Sequence, residues 1–270
     1  MNFLRQALVL VLFAIGSASA RADDVLFIGN SFTFGDLAPV VRMHGGVPKL
    51  FEQIAVAKGK QMMTSAVTAG GKDWSYHLAQ PATAAALDSK TWSWVVLQDF
   101  STRPTQVGDV AQFMQDGETF SGRIAVKSPG AGILLYETWA RPAGGYYHTG
   151  PGKVFSGPEQ MMQELHESYG RLRDDLAAKN PKREVRVALV GTAFARAGAE
   201  FPEINLNAID HHHATADGYY LAALVIYETV YHDSVEGAPT QFFHGALSIP
   251  ADEAVELQKV ADEIAVSPGK

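Results

Sequence analysis

Five short strand-like runs, most of them continuously apolar, constrain this chain more than any other feature. They lie at 25–28, 62–67, 94–97, 133–136 and 185–190. Runs that are apolar throughout, without alternation, suit strands buried on both faces, as in a parallel sheet whose crossovers are helices. The segments between them supply those helices. Residues 158–178 carry Met161, Met162, Leu165, Tyr169, Leu172 and Leu176 at helical spacing, and Asn180-Pro181 ends the pattern. A second helix is predicted over 216–231, with Thr215 as its N-cap. A third is predicted over 251–264, with Pro250 in its first turn. Residues 39–57 are broadly helical but interrupted by Gly45, Gly46 and Pro48. Strand followed by helix, repeated, predicts one three-layer α/β/α domain. Stretches 101–130 and 139–157, rich in Gly, Pro and aromatics, read as loops or insertions over one edge of the sheet.

The first 22 residues are set apart. Arg5 precedes an apolar run at 7–15, and small residues follow at Ala18-Ser19-Ala20 and Ala20-Arg21-Ala22. This is the pattern of a secretory signal peptide cut after Ala20 or Ala22. The run is shorter than the roughly 20 apolar residues of a membrane span. The expectation is a secreted or periplasmic domain over 23–270, without stable membrane association once the leader is removed. There is no cysteine, which excludes disulfides, thiol nucleophiles and thiolate metal sites. The formal net charge is −7 with no basic run, so nucleic acid is not an expected partner.

Several residue groups fall at the carboxyl ends of the expected strands, where open parallel sheets bind ligands. Gly29-Asn30-Ser31-Phe32-Thr33 follows the first strand, so a turn there projects Ser31 at the rim. A serine becomes a nucleophile only when a base takes its proton. Near the other end of the chain stands Asp210-His211-His212-His213. An Asp three residues before a His can fold back to its imidazole, fix its tautomer and stabilise the imidazolium. Gly70-Gly71 follows the second strand, where a backbone N–H can approach an oxyanion without a Cβ in the way. Gln98 ends the third strand, and its amide is a further candidate donor.

Together these blocks resemble the SGNH/GDSL hydrolase superfamily, and most closely a bacterial subgroup first described as a domain of unknown function. The matching residues are Phe27-Ile-Gly-Asn-Ser31-Phe-Thr33, Gly70-Gly71, Asp210 with His213, and then Thr215, Gly218 and Tyr220-Leu-Ala-Ala223. The resemblance runs from about residue 24 to 231. Asn30 stands where Asp is more usual, and Val-Val-Leu-Gln98-Asp99 replaces the usual Gly-x-Asn-Asp. The resemblance implies a flavodoxin-like arrangement of about five parallel strands and carboxylic ester hydrolysis without a cofactor. It implies Ser31 as nucleophile, His213 as base and Asp210 as its partner. It also implies an oxyanion hole built from the N–H groups of Ser31 and Gly71, with Gly70 and Gln98 as further candidates. Many exported members act on acylated carbohydrates, so a small-molecule or glycan ester, such as an O-acetyl sugar, is the expected partner.

Other readings compete on the sequence alone. An acyl transferase would use the same triad. A non-catalytic glycan-binding protein would use the loop residues Arg103, Trp139, Arg141, Tyr146 and Tyr147 as a sugar platform; in an esterase, Asn30, Arg103, Trp139 and Arg141 are the candidates for substrate binding. The run His211-His212-His213 could serve an exported metal-binding protein, although adjacent residues seldom converge on one tetrahedral centre and no metal is expected at the site.

Overall fold

In a computed structural model, residues 23–266 are described, with side chains to 264. The expected leader over 1–22 lies outside them. The strands β1 (Asp23–Gly29), β2 (Met62–Thr68), β3 (Trp94–Leu97), β4 (Gly132–Tyr136) and β5 (Val185–Ala188) form one sheet in the order β2-β1-β3-β4-β5. Every pairing is parallel. This is the flavodoxin-like order, whose switch point lies between β1 and β3.

The apolar runs of β1, β3 and β4 are buried on both faces, as the sequence demands. In β1, Val25 and Phe27 face one core while Leu26 and Ile28 face the other. In β3, Trp94 and Val96 are divided in the same way from Val95 and Leu97. The first core is closed by α3 (Gly46–Ala57), α8 (Val190–Glu200), α9 (Ala216–Tyr231) and α10 (Ala251–Val266). The second is closed by α4 (Trp74–Ala79), α5 (Pro81–Asp88), α6 (Val110–Lys127) and α7 (Pro158–Lys179). Two short helices, α1 (Ser31–Phe34) and α2 (Pro39–Met43), join β1 to α3, and a small hairpin of β6 (Gln241–Phe242) and β7 (Leu247–Ser248) precedes α10.

The structure corrects the sequence at two places. The stretch 101–130 is not all loop, because α6 occupies Val110–Lys127 with Phe113, Phe120 and Ile124 buried on one face. Gly117, a poor helix former, is buried on that face. It lets α7 pack closely: a Cβ at Gly117 would lie 2.7 Å from Leu172 Cδ2, so Leu172 would have to move to admit one. The fifth run stops at Ala188, and Val190 begins α8. The other stretch, 139–157, is irregular apart from two single turns at Tyr146–His148 and Gly150–Gly152.

Candidate active site

The turn after β1 is built from below. Asn30 caps α1, its Oδ1 accepting the N–H of Phe32 at 3.2 Å. Its Nδ2 donates to Lys72 O at 2.9 Å and to Asp99 O at 3.4 Å, which ties the turn to the loop after β2 and to the end of β3. Gln98 lies under the same turn. Its Oε1 accepts from Asn30 N and Thr33 Oγ1, both at 2.9 Å, and its Nε2 donates to Asp99 O. Both residues are almost fully buried. Asn30 and Gln98 are therefore braces of the turn. The Asn30 side chain is engaged at both ends, and Gln98 is buried beneath the turn with its oxygen and its nitrogen bonded within it, which corrects their expected roles in substrate binding and oxyanion donation.

Ser31 opens α1 at 6% exposure. Its N–H and its Oγ make no hydrogen bond. The loop after β2 carries Gly70 and Gly71, and the Gly71 N–H is likewise unpaired. Gly71 holds φ at +67° with open space around its Cα, a conformation that favours glycine. The Asn30–Lys72 hydrogen bond holds this loop against the Ser31 turn.

The Asp210–His213 segment closes on itself in one turn. Asp210 Oδ1 accepts the N–H groups of His212 and His213 at 3.0 Å each, and Oδ2 meets His213 Nδ1 at 2.6 Å. Burial alone would raise the Asp210 carboxyl, but the hydrogen bonds from His213 and His212 hold it below its ordinary value. The loop is pinned by Ala208 N donating to His213 O at 2.8 Å and by Trp139 Nε1 donating to His212 O at 3.1 Å. His212 and His213 stand edge-on to Phe32, with ring centroids at 5.1 and 5.6 Å, so His213 sits beside the residue that follows Ser31. His213 Nε2 is buried and unpaired, and the nearest carboxylate, from Asp36, is 4.0 Å away. The structure thus joins Asp210 to His213 and sets both beside the serine turn. It does not link Nε2 to Ser31 Oγ by a hydrogen bond. Such bonds are often long in unliganded sites and tighten around the substrate.

The three histidines diverge. His213 turns to Asp210, His212 packs on Phe32, and His211 is exposed in a left-handed conformation (φ +54°). Among the described residues no group of three or more His, Asp or Glu is arranged to hold a metal ion. Burial, and then the positive charge of Arg141, holds His212 down at about 3, so it is neutral at pH 7.

Two of the expected platform residues are committed elsewhere. Trp139 is 1% exposed and stacked between Phe32 and Phe194, at centroid distances of 4.1 and 4.4 Å. With both faces covered it offers nothing to a sugar. Arg103 pairs with Asp73, donates to Ser75 Oγ at 2.8 Å and reaches Asp116 at 3.5 Å, so it is a strut between α4 and α6. Arg141 is different. It donates to Ser101 Oγ at 2.7 Å, yet its Nη1 is unpaired. Tyr146 is exposed and Tyr147 half-buried. An apolar groove of about 440 Å³, lined in part by Leu37, Val40, Ala208, Ile209 and Leu247, flanks the loops that carry Asp36 and Asp210.

Sequence reasoning overlooked Asp99 and Asp36. Asp99 is wholly buried at the end of β3, and its Oδ1 accepts the N–H groups of Trp74 and Phe100 at 2.7 Å each. Burial pushes its carboxyl up to about 7, against the lowering effect of those two bonds and of Arg103. Between about pH 4 and 7 the folded chain keeps a proton that the unfolded chain has lost, so this group's contribution to stability falls as pH rises through that window. Asp99→Asn, which keeps the acceptor oxygen, removes that dependence. The variant is expected to gain stability over the parent at pH 8, by an amount on the order of a few kcal/mol at most, and to match it at pH 4. Thermal unfolding at the two pH values checks this, and an equal difference at both would contradict it.

No protein-family model matches the sequence, and no curated relative does. Solved structures do. A DUF4886 family protein from Bacteroides uniformis superposes with a TM-score of 0.68 at 18% identity, covering 93% of this chain and 97% of its own. A putative GDSL-like lipase from Parabacteroides merdae gives 0.57 at 14% identity, covering 77% and 95%. A Clostridium thermocellum family 3 carbohydrate esterase gives 0.54 at 12%, covering 78% and 96%. With the β2-β1-β3-β4-β5 sheet and its two helical layers, these likenesses establish that the chain has the SGNH/GDSL hydrolase fold.

Proposed function

We propose that this chain hydrolyses carboxylic esters by a Ser31–His213–Asp210 mechanism. The observation that carries the reading is the Asp210–His213 pair, whose Nε2 is buried, unpaired and set beside the Ser31 turn. Ser31 Oγ attacks the acyl carbonyl while His213 Nε2 takes its proton. The tetrahedral oxyanion is held by the N–H groups of Ser31 and Gly71, neither of which has another partner. His213 then gives its proton to the departing alkoxide, which leaves as the alcohol. Water, deprotonated by His213, attacks the acyl-enzyme; the bond to Ser31 Oγ breaks, His213 returns the proton to that oxygen, and the acid is released. Asp210 fixes the tautomer in which Nε2 is free, and its charge stabilises the imidazolium. His212, being neutral, adds no positive charge of its own beside that imidazolium. The likeness to a carbohydrate esterase favours an acylated glycan as substrate, and the leader-like sequence over 1–22 would place the encounter in the periplasm or outside the cell.

Hydrolysis of p-nitrophenyl acetate by the mature protein, beside Asp210→Asn and His213→Ala, tests the pair. The amide introduced by Asp210→Asn retains an acceptor for the two backbone N–H groups but loses the charge that faces Nδ1. Asp210→Asn is expected to lower kcat by about 10²–10⁴-fold, and His213→Ala by at least as much. Parent-like turnover in either variant would overturn the assignment.

A further inference from the structure

Arg141 lies beyond the end of β4, on the same rim as Ser31, and is 4% exposed. Arginine is almost never so buried without a carboxylate partner. Arg141 has none: Nη2 donates to Ser101 Oγ at 2.7 Å, Nη1 is buried without a partner, and no carboxylate of the described residues forms an ion pair with it. Its Cζ stands 5.6 Å from the ring centroid of Phe32, the residue next to Ser31. The groups around it balance its charge only in part. His212 is neutral, and Asp210 supports the cation through space, but both Asp210 oxygens are bonded to His212 and His213 and neither is bonded to the guanidinium. Burial pulls the guanidinium down only to about 10, so it is cationic at neutral pH. A buried cation without a directly bonded anion lowers folding stability. A site retains such a group when a ligand supplies the missing anion. A guanidinium with one nitrogen pinned and the other free is shaped to receive a carboxylate.

We propose that Arg141 forms an anion subsite beside the nucleophile and that the natural ester carries a carboxylate. This rests on the assignment of Ser31 as nucleophile. The carboxylate has two sources, the acyl group of a dicarboxylic half-ester or the alcohol of an acylated uronic acid. Two pairs of probes separate them. Mono-p-nitrophenyl succinate against p-nitrophenyl acetate reads the acyl side. Acetate release from acetylated polygalacturonate against acetylated xylan reads the alcohol side. In one pair the charged substrate is expected to be favoured in kcat/KM by roughly tenfold or more. Arg141→Met should bring that ratio close to one, and Arg141→Lys should restore part of it. Because the parent protein alone gives the ratio, a poorly folded Arg141→Met does not spoil the test. No preference in either pair, or a preference that survives Arg141→Met, would overturn the proposal and leave Arg141 as a strut to Ser101. Calorimetric titration of Ser31→Ala with succinate and with galacturonate reads the subsite without turnover. Saturable binding that Arg141→Met abolishes supports it even if no ester is cleaved, in which case the hydrolase reading fails on its own. Absence of binding by both probes counts against it.

Discussion

Ser31→Ala is expected to reduce hydrolysis of p-nitrophenyl acetate to background, a loss in kcat of about 10³-fold or more, while Tm stays within a few degrees of the parent. The size follows from the loss of the covalent route, which leaves only oxyanion stabilisation and binding. The small effect on stability follows from the contacts. Ser31 Oγ makes no hydrogen bond, and the turn is held by Asn30, Thr33 and Gln98. Alanine at position 31 therefore removes chemistry without loosening the scaffold. Initial rates and a thermal melt on the same preparation separate the two effects. A variant that keeps most of its activity would place the nucleophile elsewhere.

Trp139→Ala is expected to have the largest effect on stability among the residues around the site, about 3–5 kcal/mol. The indole fills the space between Phe32 and Phe194, and its Nε1 donates to His212 O, a residue 73 positions away. Its removal opens a cavity under both the serine turn and the histidine loop. Activity should fall with stability, because the loop that aims His213 loses its anchor. Trp139→Phe keeps an aromatic ring in the stack and gives up the indole hydrogen bond. It should cost far less, about 1–2 kcal/mol. Denaturant unfolding of the two variants checks the order. A Trp139→Phe variant as unstable as Trp139→Ala would show that the hydrogen bond, and not the stack, holds the loop.

Much of this fold is written in local patterns, and much of the site is not. β1, β3 and β4 are legible because a run buried on both faces must be apolar at every position. α7 and α9 are legible from their spacing and caps. The boundary between β5 and α8 is hidden because apolar residues continue from strand to helix through Leu189 and Val190. α6 is hidden because Gly117, a poor helix former, lies in its middle, where it packs against Leu172, a residue far away in sequence. In the site, Asp210 and His213 are three residues apart, so their pairing can be read directly. The roles of Gln98, Trp139 and Arg103 cannot. Their types suit an oxyanion donor, a sugar platform and a substrate anchor, but their partners lie tens of positions away, and those partners occupy the groups that a substrate would need. Arg141, by contrast, keeps a terminal guanidinium nitrogen, Nη1, without a partner after folding.

The central claim is that Ser31 is made nucleophilic by His213, and a fluorophosphonate probe tests it without any assumption about the natural ester. The probe phosphonylates only a serine whose proton a base removes. The account predicts a single adduct, mapped by mass spectrometry to the peptide containing Ser31, absent in Ser31→Ala and strongly slowed in His213→Ala. Labelling at another serine, or labelling of Ser31 that His213→Ala leaves unchanged, would contradict it.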